Sequence, residues 1–117
     1  MTPLVYDDRP GTRAGSALEI GVAPGPQPGT VHLCVSGEID FDNAAFLRET
    51  LLIALRSHRG TLLLDLSRIT FCDCAGLNAL LTAQLATLRA GRRLRIVTAS
   101  RSVERLLRLT STRTLLT

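Results

Sequence analysis

Asp65-Leu66-Ser67-Arg68-Ile69-Thr70-Phe71-Cys72-Asp73-Cys74-Ala75-Gly76-Leu77-Asn78-Ala79-Leu80 joins two patterns of different period. On its amino side, Thr61-Leu62-Leu63-Leu64-Asp65-Leu66 is short and nearly all apolar, as expected of a central strand covered on both faces. On its carboxyl side, Leu77, Leu80, Leu81, Gln84, Leu85 and Leu88 recur at helical spacing, which predicts a helix over 75–89 closed by Gly91. Residues 67–73 are expected to be the loop between them.

Working outward, the same alternation of strand and helix repeats. Leu18-Glu19-Ile20-Gly21-Val22 alternates as a half-buried strand does. Pro24-Gly25-Pro26-Gln27-Pro28-Gly29 breaks it. Residues 30–35 read as a second strand ending at Ser36-Gly37, so the first two strands form a hairpin. Asp42 or Asn43 is placed to cap a helix reaching about Ser57, with Ala44, Leu47, Leu51, Ala54 and Leu55 on one face and Gly60 beyond its end. Leu94-Arg95-Ile96-Val97-Thr98 is a further strand, Ser100 caps a third helix over about 101–109, and Leu115-Leu116 suggests a last edge strand. Strand–helix–strand crossovers build parallel pairing and the hairpin adds antiparallel pairing. The expected architecture is therefore α/β: a mixed sheet of four to five strands with helices packed on one side. Residues 1–16, polar and bearing Gly and Pro, read as a flexible N-terminal segment ahead of one domain over 17–117.

Composition narrows the function classes. A chain of 117 residues fits one domain, and 45% hydrophobic with 21% charged residues suits an ordinary globule. The net charge is +4 with Arg in place of any Lys, yet Arg is massed only at Arg92, Arg93 and Arg95, and the aromatic residues are Tyr6, Phe41, Phe46 and Phe71 alone. That is a poor stacking platform for nucleic acid. No apolar stretch approaches a membrane span or a signal-peptide core. Cys34, Cys72 and Cys74 are odd in number and too few for a disulfide framework, so a cytoplasmic location is expected.

The stretch 65–80 resembles the signature of STAS domains of the sporulation-type anti-sigma factor antagonists, which run D-L, three residues, Ser or Thr, F, one residue, D-S, a small residue and G-L. Gly37-Glu38-Ile39-Asp40, the strand from Gly91 to Thr98 and the segment from Ser102 to Thr110 also match the family, so the resemblance covers about 18–117. It implies the STAS fold and a binding role without catalysis or cofactor. The implied partner is an anti-sigma factor with a histidine-kinase-like ATPase fold, and other STAS-domain proteins are further candidates. Such an antagonist, while unphosphorylated, occupies the anti-sigma factor and frees a sigma factor. Phosphorylation of a Ser at the start of the second helix ends binding. A phosphate there meets free backbone N–H groups and the positive end of the helix dipole, and brings about −2 charge to a docking surface.

In this chain Cys74 stands at the phosphoacceptor position and Ala75 follows it, so neither carries a hydroxyl. Asp73, Gly76 and Leu77 still match. The resemblance therefore implies a partner-binding surface made of Asp40, Asp42 and Asn43 in one loop, with Asp73, Cys74, Ala75, Gly76, Leu77 and Asn78 at the helix start. Its usual off-switch is missing; Ser67 and Thr70 are nearby hydroxyls that offer a displaced one. Cys74 also admits a reading as a redox sensor, because a helix N-terminus favours thiolate, although Asp73 opposes it. The third reading is a size-matched replacement without chemistry.

Other constellations are weaker. Cys72-x-Cys74 with His32, His58 and Cys34 scattered elsewhere does not supply the four ligands of a structural zinc site, so no metal is expected. Cys72 reads instead as a small apolar residue facing the core beside Phe71. Neither His is placed by a motif beside Cys74, and Asp40 with Asp73 reads as loop capping as readily as an acid/base pair. Gly76 lies in no Gly-rich loop with Lys. Arg101, Arg105 and Arg108 share one face of the third helix, as a solvated polar face does.

Overall fold

A computed structural model of the chain describes residues 2–6 and 18–117. Alternating apolar positions produce the strands β1 (Thr2–Tyr6), β2 (Leu18–Pro24), β3 (Thr30–Ile39), β4 (Thr61–Cys72) and β5 (Leu94–Ala99). Between and after them run α1 (Ala44–Ser57), α2 (Cys74–Arg89), α3 (Arg101–Thr110) and the short α4 (Arg113–Leu116). The strands form one five-stranded sheet in sequence order. β1–β2 and β2–β3 pair antiparallel, whereas β3–β4 and β4–β5 pair parallel, so the sheet is mixed as the crossovers require.

One sheet face carries the core. Leu18 and Ile20 of β2, Leu33 and Val35 of β3, Leu62, Leu64 and Leu66 of β4, and Leu94 and Ile96 of β5 point into it. Leu47 and Leu51 of α1, Leu77 and Leu80 of α2, Val103 and Leu107 of α3, and Leu116 of α4 meet them there. The opposite face shows the other half of each alternation: His32 and Cys34 are half-buried, and Arg95 and Val97 are exposed. The helices thus cover one side. On the open face the Asp65 carboxylate accepts from Ser67 Oγ (2.6 Å), the Ser67 N–H (2.9 Å) and Thr98 Oγ1 (2.7 Å). Burial alone would raise its pKa, but these hydrogen bonds outweigh burial and hold it below the ordinary 3.8.

Three expectations change. Thr2–Tyr6, read as part of a flexible lead-in, adds an antiparallel edge strand to β2, with Leu4 opposite Ile20; Met1 and residues 7–16 of that segment lie outside the described residues. Residues 67–72, read as loop, continue β4 to the level of Ile39, because β3 also runs on past Gly37 and supplies the partner backbone. Leu115 and Leu116 belong to a helical turn and not to an edge strand. Leu116 is fully buried and Gln84 Nε2 donates to Leu115 O (2.7 Å) and to Leu94 O (2.9 Å), so side-chain hydrogen bonding pins this turn against α2 and β5.

Candidate functional site

The carboxyl ends of the parallel strands β3 and β4 build the site. The two do not pair evenly: Gly37 is opposite Ile69 and Glu38 is opposite Phe71, so Thr70 is an extra residue on β4. Such a bulge re-aims the side chains that follow it. Ile69 and Cys72 point into the core, while Thr70 and Phe71 both face solvent, Phe71 at 47% exposure. Thr70 Oγ1 donates to Gly37 O (3.2 Å) and Ser102 Oγ donates to Thr70 O (3.1 Å), which tie the bulge to β3 and α3.

β3 ends in a loop closed by reciprocal hydrogen bonds. Asp40 Oδ1 accepts the N–H groups of Asp42 (3.0 Å) and Asn43 (3.2 Å), and Asn43 Oδ1 accepts the Asp40 N–H (3.0 Å). Asn43 Nδ2 donates to Glu38 O (2.8 Å). Asn43 occupies the N-cap of α1, but its side chain turns back into this loop and makes no cap hydrogen bond. The loop thrusts Phe41 outward at 83% exposure.

The second loop is a single residue. Asp73 caps α2, its Oδ1 accepting the Gly76 N–H (3.1 Å), and its own N–H donates to Ile39 O (3.2 Å). This explains the Asp-x-x-Gly-Leu pattern physically. Asp satisfies an otherwise unpaired N–H of the first turn. Gly76 allows that turn to lie on the strand ends, since a Cβ there would meet Ile39 Cγ2 at 2.6 Å and Cys72 Sγ at 2.8 Å. Leu77, 6% exposed, then enters the core.

The residues expected at the docking surface divide accordingly. Asp42, Cys74 and Asn78 are exposed, and Asp73 and Ala75 are half-buried. Asp40, Asn43, Gly76 and Leu77 are buried; Asn43 is fully so. These four have their side chains, or their lack of one, used inside the rim, which they shape. Sequence reasoning missed Phe41 and Phe71, whose exposure depends on a loop and a bulge that no motif announces. Together with Glu38, Asp40, Asp42, Thr70 and Asp73 they line a cleft of about 620 Å³. Its rim is therefore carboxylate-rich with two protruding aromatic rings.

The two cysteines of the stretch differ sharply. Cys74 is exposed and Cys72 is buried. Burial first, then the Asp73 charge and Cys74, push the Cys72 thiol from the ordinary 9.0 up to about 12. The sign of the consequence is fixed: above pH 9 an unfolded chain loses this proton while the folded chain keeps it, so folding weakens as pH rises toward 12. Between pH 8 and 10, Cys72→Ala is expected to lose about 1 kcal/mol less stability than the unsubstituted chain. Urea unfolding at the two pH values measures it; parallel losses in both chains would contradict the assignment. Among the described residues no group of three or more His, Cys, Asp or Glu is placed to hold a metal ion, and no helix is long and apolar enough to cross a membrane.

Residues 22–117 match the profile of the family described as Mlab, STAS domain. The chain belongs to the STAS domain family. Its fold is shared with an anti-sigma factor antagonist from Mycobacterium paratuberculosis, at a TM-score of 0.74 and 22% identity, covering 90% of this chain and 87% of that one. The unphosphorylated form of the anti-sigma factor antagonist SpoIIAA aligns at a TM-score of 0.64 and 18% identity, over 84% of this chain and 85% of the other. An antisigma-factor antagonist STAS domain from Rhodobacter sphaeroides aligns at 0.60 and 20% identity, over 73% and 94%. No curated protein sequence matches the chain.

Proposed function

We propose that this chain is an anti-sigma factor antagonist that docks a kinase-like anti-sigma factor through the rim formed by the 40–43 loop, Phe71 and the start of α2. Three supports converge: the resemblance of 65–80, structural neighbours that carry this description, and a rim whose exposed aromatic and small side chains suit close approach of another protein. The observation that carries the reading is the first turn of α2. It is capped, exposed at Cys74 and Asn78, and without a hydroxyl at residues 74 and 75. The antagonist is accordingly held in its binding-competent form, because the atom that would accept phosphate is replaced by sulfur. The protein acts in the cytoplasm, by occupancy and not by turnover.

The test is the affinity of the purified chain for a kinase-fold anti-sigma protein, with and without sigma factor as competitor. Binding that sigma factor displaces supports the proposal, and absence of binding contradicts it. A second reading is a STAS scaffold subunit of a larger sensory complex, with which the match to a STAS domain profile is equally compatible. Pull-down separates the two: a kinase-fold protein supports the antagonist, whereas a multi-subunit particle supports the scaffold.

A further inference from the structure

The charges of this molecule are segregated along its strands. The carboxyl ends of β3 and β4 carry Glu38, Asp40, Asp42 and Asp73. The amino ends of the parallel strands lie at the other end of the sheet, where Thr30 is opposite Thr61 and Leu62 is opposite Leu94. Three segments without a single Asp or Glu, 20–37, 50–64 and 74–103, pass through that end and line it with Gly29, with Arg59 to Thr61 and with Gly91 to Arg93. They bring Arg56, Arg59, Arg89, Arg92 and Arg93 to that end.

A cleft of about 520 Å³ opens at this end, lined by Gly29, Arg59, Gly60, Gly91, Arg92 and Arg93 among others. Arg92 is held in place: its Nη1 donates to Leu55 O and its Nη2 to Gly60 O (2.6 Å). Its Nε is buried without a hydrogen-bond partner among the described residues. Arg59 and Arg93 are exposed. Among the described residues no carboxylate lines the cleft, and the glycines at 29 and 91 leave open space where a Cβ would project. With Arg92 held as a fixed positive charge at the wall, the exposed guanidinium groups of Arg59 and Arg93 around the concavity concentrate anions, and their planar forks match phosphate oxygens two at a time. The described lining holds no aromatic or large apolar side chain, so it offers nothing to stack a nucleobase.

We propose that the cleft between Arg59, Arg92 and Arg93 is a binding site for a compact phosphate-bearing anion, separate from the docking rim and at the opposite end of the sheet. Free inorganic phosphates and a phosphorylated side chain of another protein share this chemistry. The site stands on its own charges and does not depend on the antagonist reading.

The experiment titrates the full chain with sodium pyrophosphate at low ionic strength and follows backbone amide shifts by NMR. Saturable shifts are expected at Gly29, Gly60, Gly91 and Arg93, with none at Asp73 to Leu77. Arg59→Gln with Arg93→Gln is expected to weaken binding at least about tenfold without changing the melting temperature, since both side chains are exposed. Arg101→Gln with Arg105→Gln removes the same charge from α3 and is expected to leave binding within about twofold. A phosphoserine peptide in the second arm identifies the source: tighter binding than pyrophosphate points to a protein ligand, weaker binding to a free anion. The proposal is overturned by non-saturating shifts, by shifts centred on the start of α2, or by equal weakening in the two double variants.

Discussion

Replacing Phe41 and Phe71 together by alanine is expected to weaken binding of the proposed anti-sigma partner by about a hundredfold or more, with the melting temperature essentially unchanged. Both rings already stand in solvent, at 83% and 47% exposure, so their removal takes little from the core. In a complex they would be the large apolar groups at the centre of a carboxylate-rich rim. Aromatic anchors desolvated at an interface centre cost about 2 kcal/mol or more each when truncated. Two of them therefore exceed a factor of a hundred if they act independently. Binding by calorimetry or surface resonance, paired with thermal unfolding, reads both halves. A double variant that binds as well as the unsubstituted chain would remove the rim from the interface.

Gly76→Val is expected to destabilise the fold by about 3 kcal/mol, the largest effect of any single substitution at the rim. A Cβ at this position already comes within 2.6 Å of Ile39 Cγ2 and 2.8 Å of Cys72 Sγ. Valine adds two methyl groups to that overlap, and neither Ile39 nor Cys72 has room to yield, being 0% and 9% exposed. Relief would require α2 to lift from the strand ends, which breaks the Asp73 N–H to Ile39 O hydrogen bond at 3.2 Å. Thr82→Val, exposed on the same helix, is the control and is expected to stay within about 0.5 kcal/mol. Denaturant unfolding of the two variants decides it; equal effects would mean that the glycine serves no close approach.

These two sites show what the amino-acid pattern could and could not tell. The three long helices were legible because apolar residues recur with a clear period in each: Leu47 and Leu51 in α1, Leu77 and Leu80 in α2, Val103 and Leu107 in α3. The central strand was legible from its unbroken apolar run, Leu62 to Leu64. Asp73, Gly76 and Leu77 were singled out only through the family likeness, as residues of a docking surface; that Asp73 caps α2 and that Gly76 lies against Ile39 and Cys72 emerges from the packing of the helix start on the strand ends. The carboxyl half of β4 was not, because Ser67, Arg68 and Thr70 face solvent and a bulge at Thr70 shifts the phase of alternation. Phase shifts of this kind arise from pairing with a distant strand, and a single chain segment carries no trace of them. Phe71 was read as a neighbour of the core for the same reason. Leu115-Leu116 was too short for its period to separate strand from helix, and Gln84, thirty-one residues away from Leu115, settles it.

The role of Asn43 illustrates a further limit. Its position before α1 marks a cap, yet the amide is drawn to Glu38 O and the Asp40 N–H instead. Local propensity names the residue, while the competing partners, the Asp40 N–H for its oxygen and Glu38 O for its amide N–H, depend on where β3 ends. The same logic assigns Asp40 to loop closure, since its carboxylate already accepts two backbone N–H groups.

The most direct measurement is phosphate incorporation and complex survival when the chain is incubated with a kinase-fold anti-sigma partner and ATP, beside Cys74→Ser. The unsubstituted chain is predicted to take up no phosphate at residues 74 or 75 and to stay bound, while Cys74→Ser is labelled at residue 74 and released. Phosphate on residue 74 or 75 of the unsubstituted chain, or release of its complex by ATP, would contradict the account.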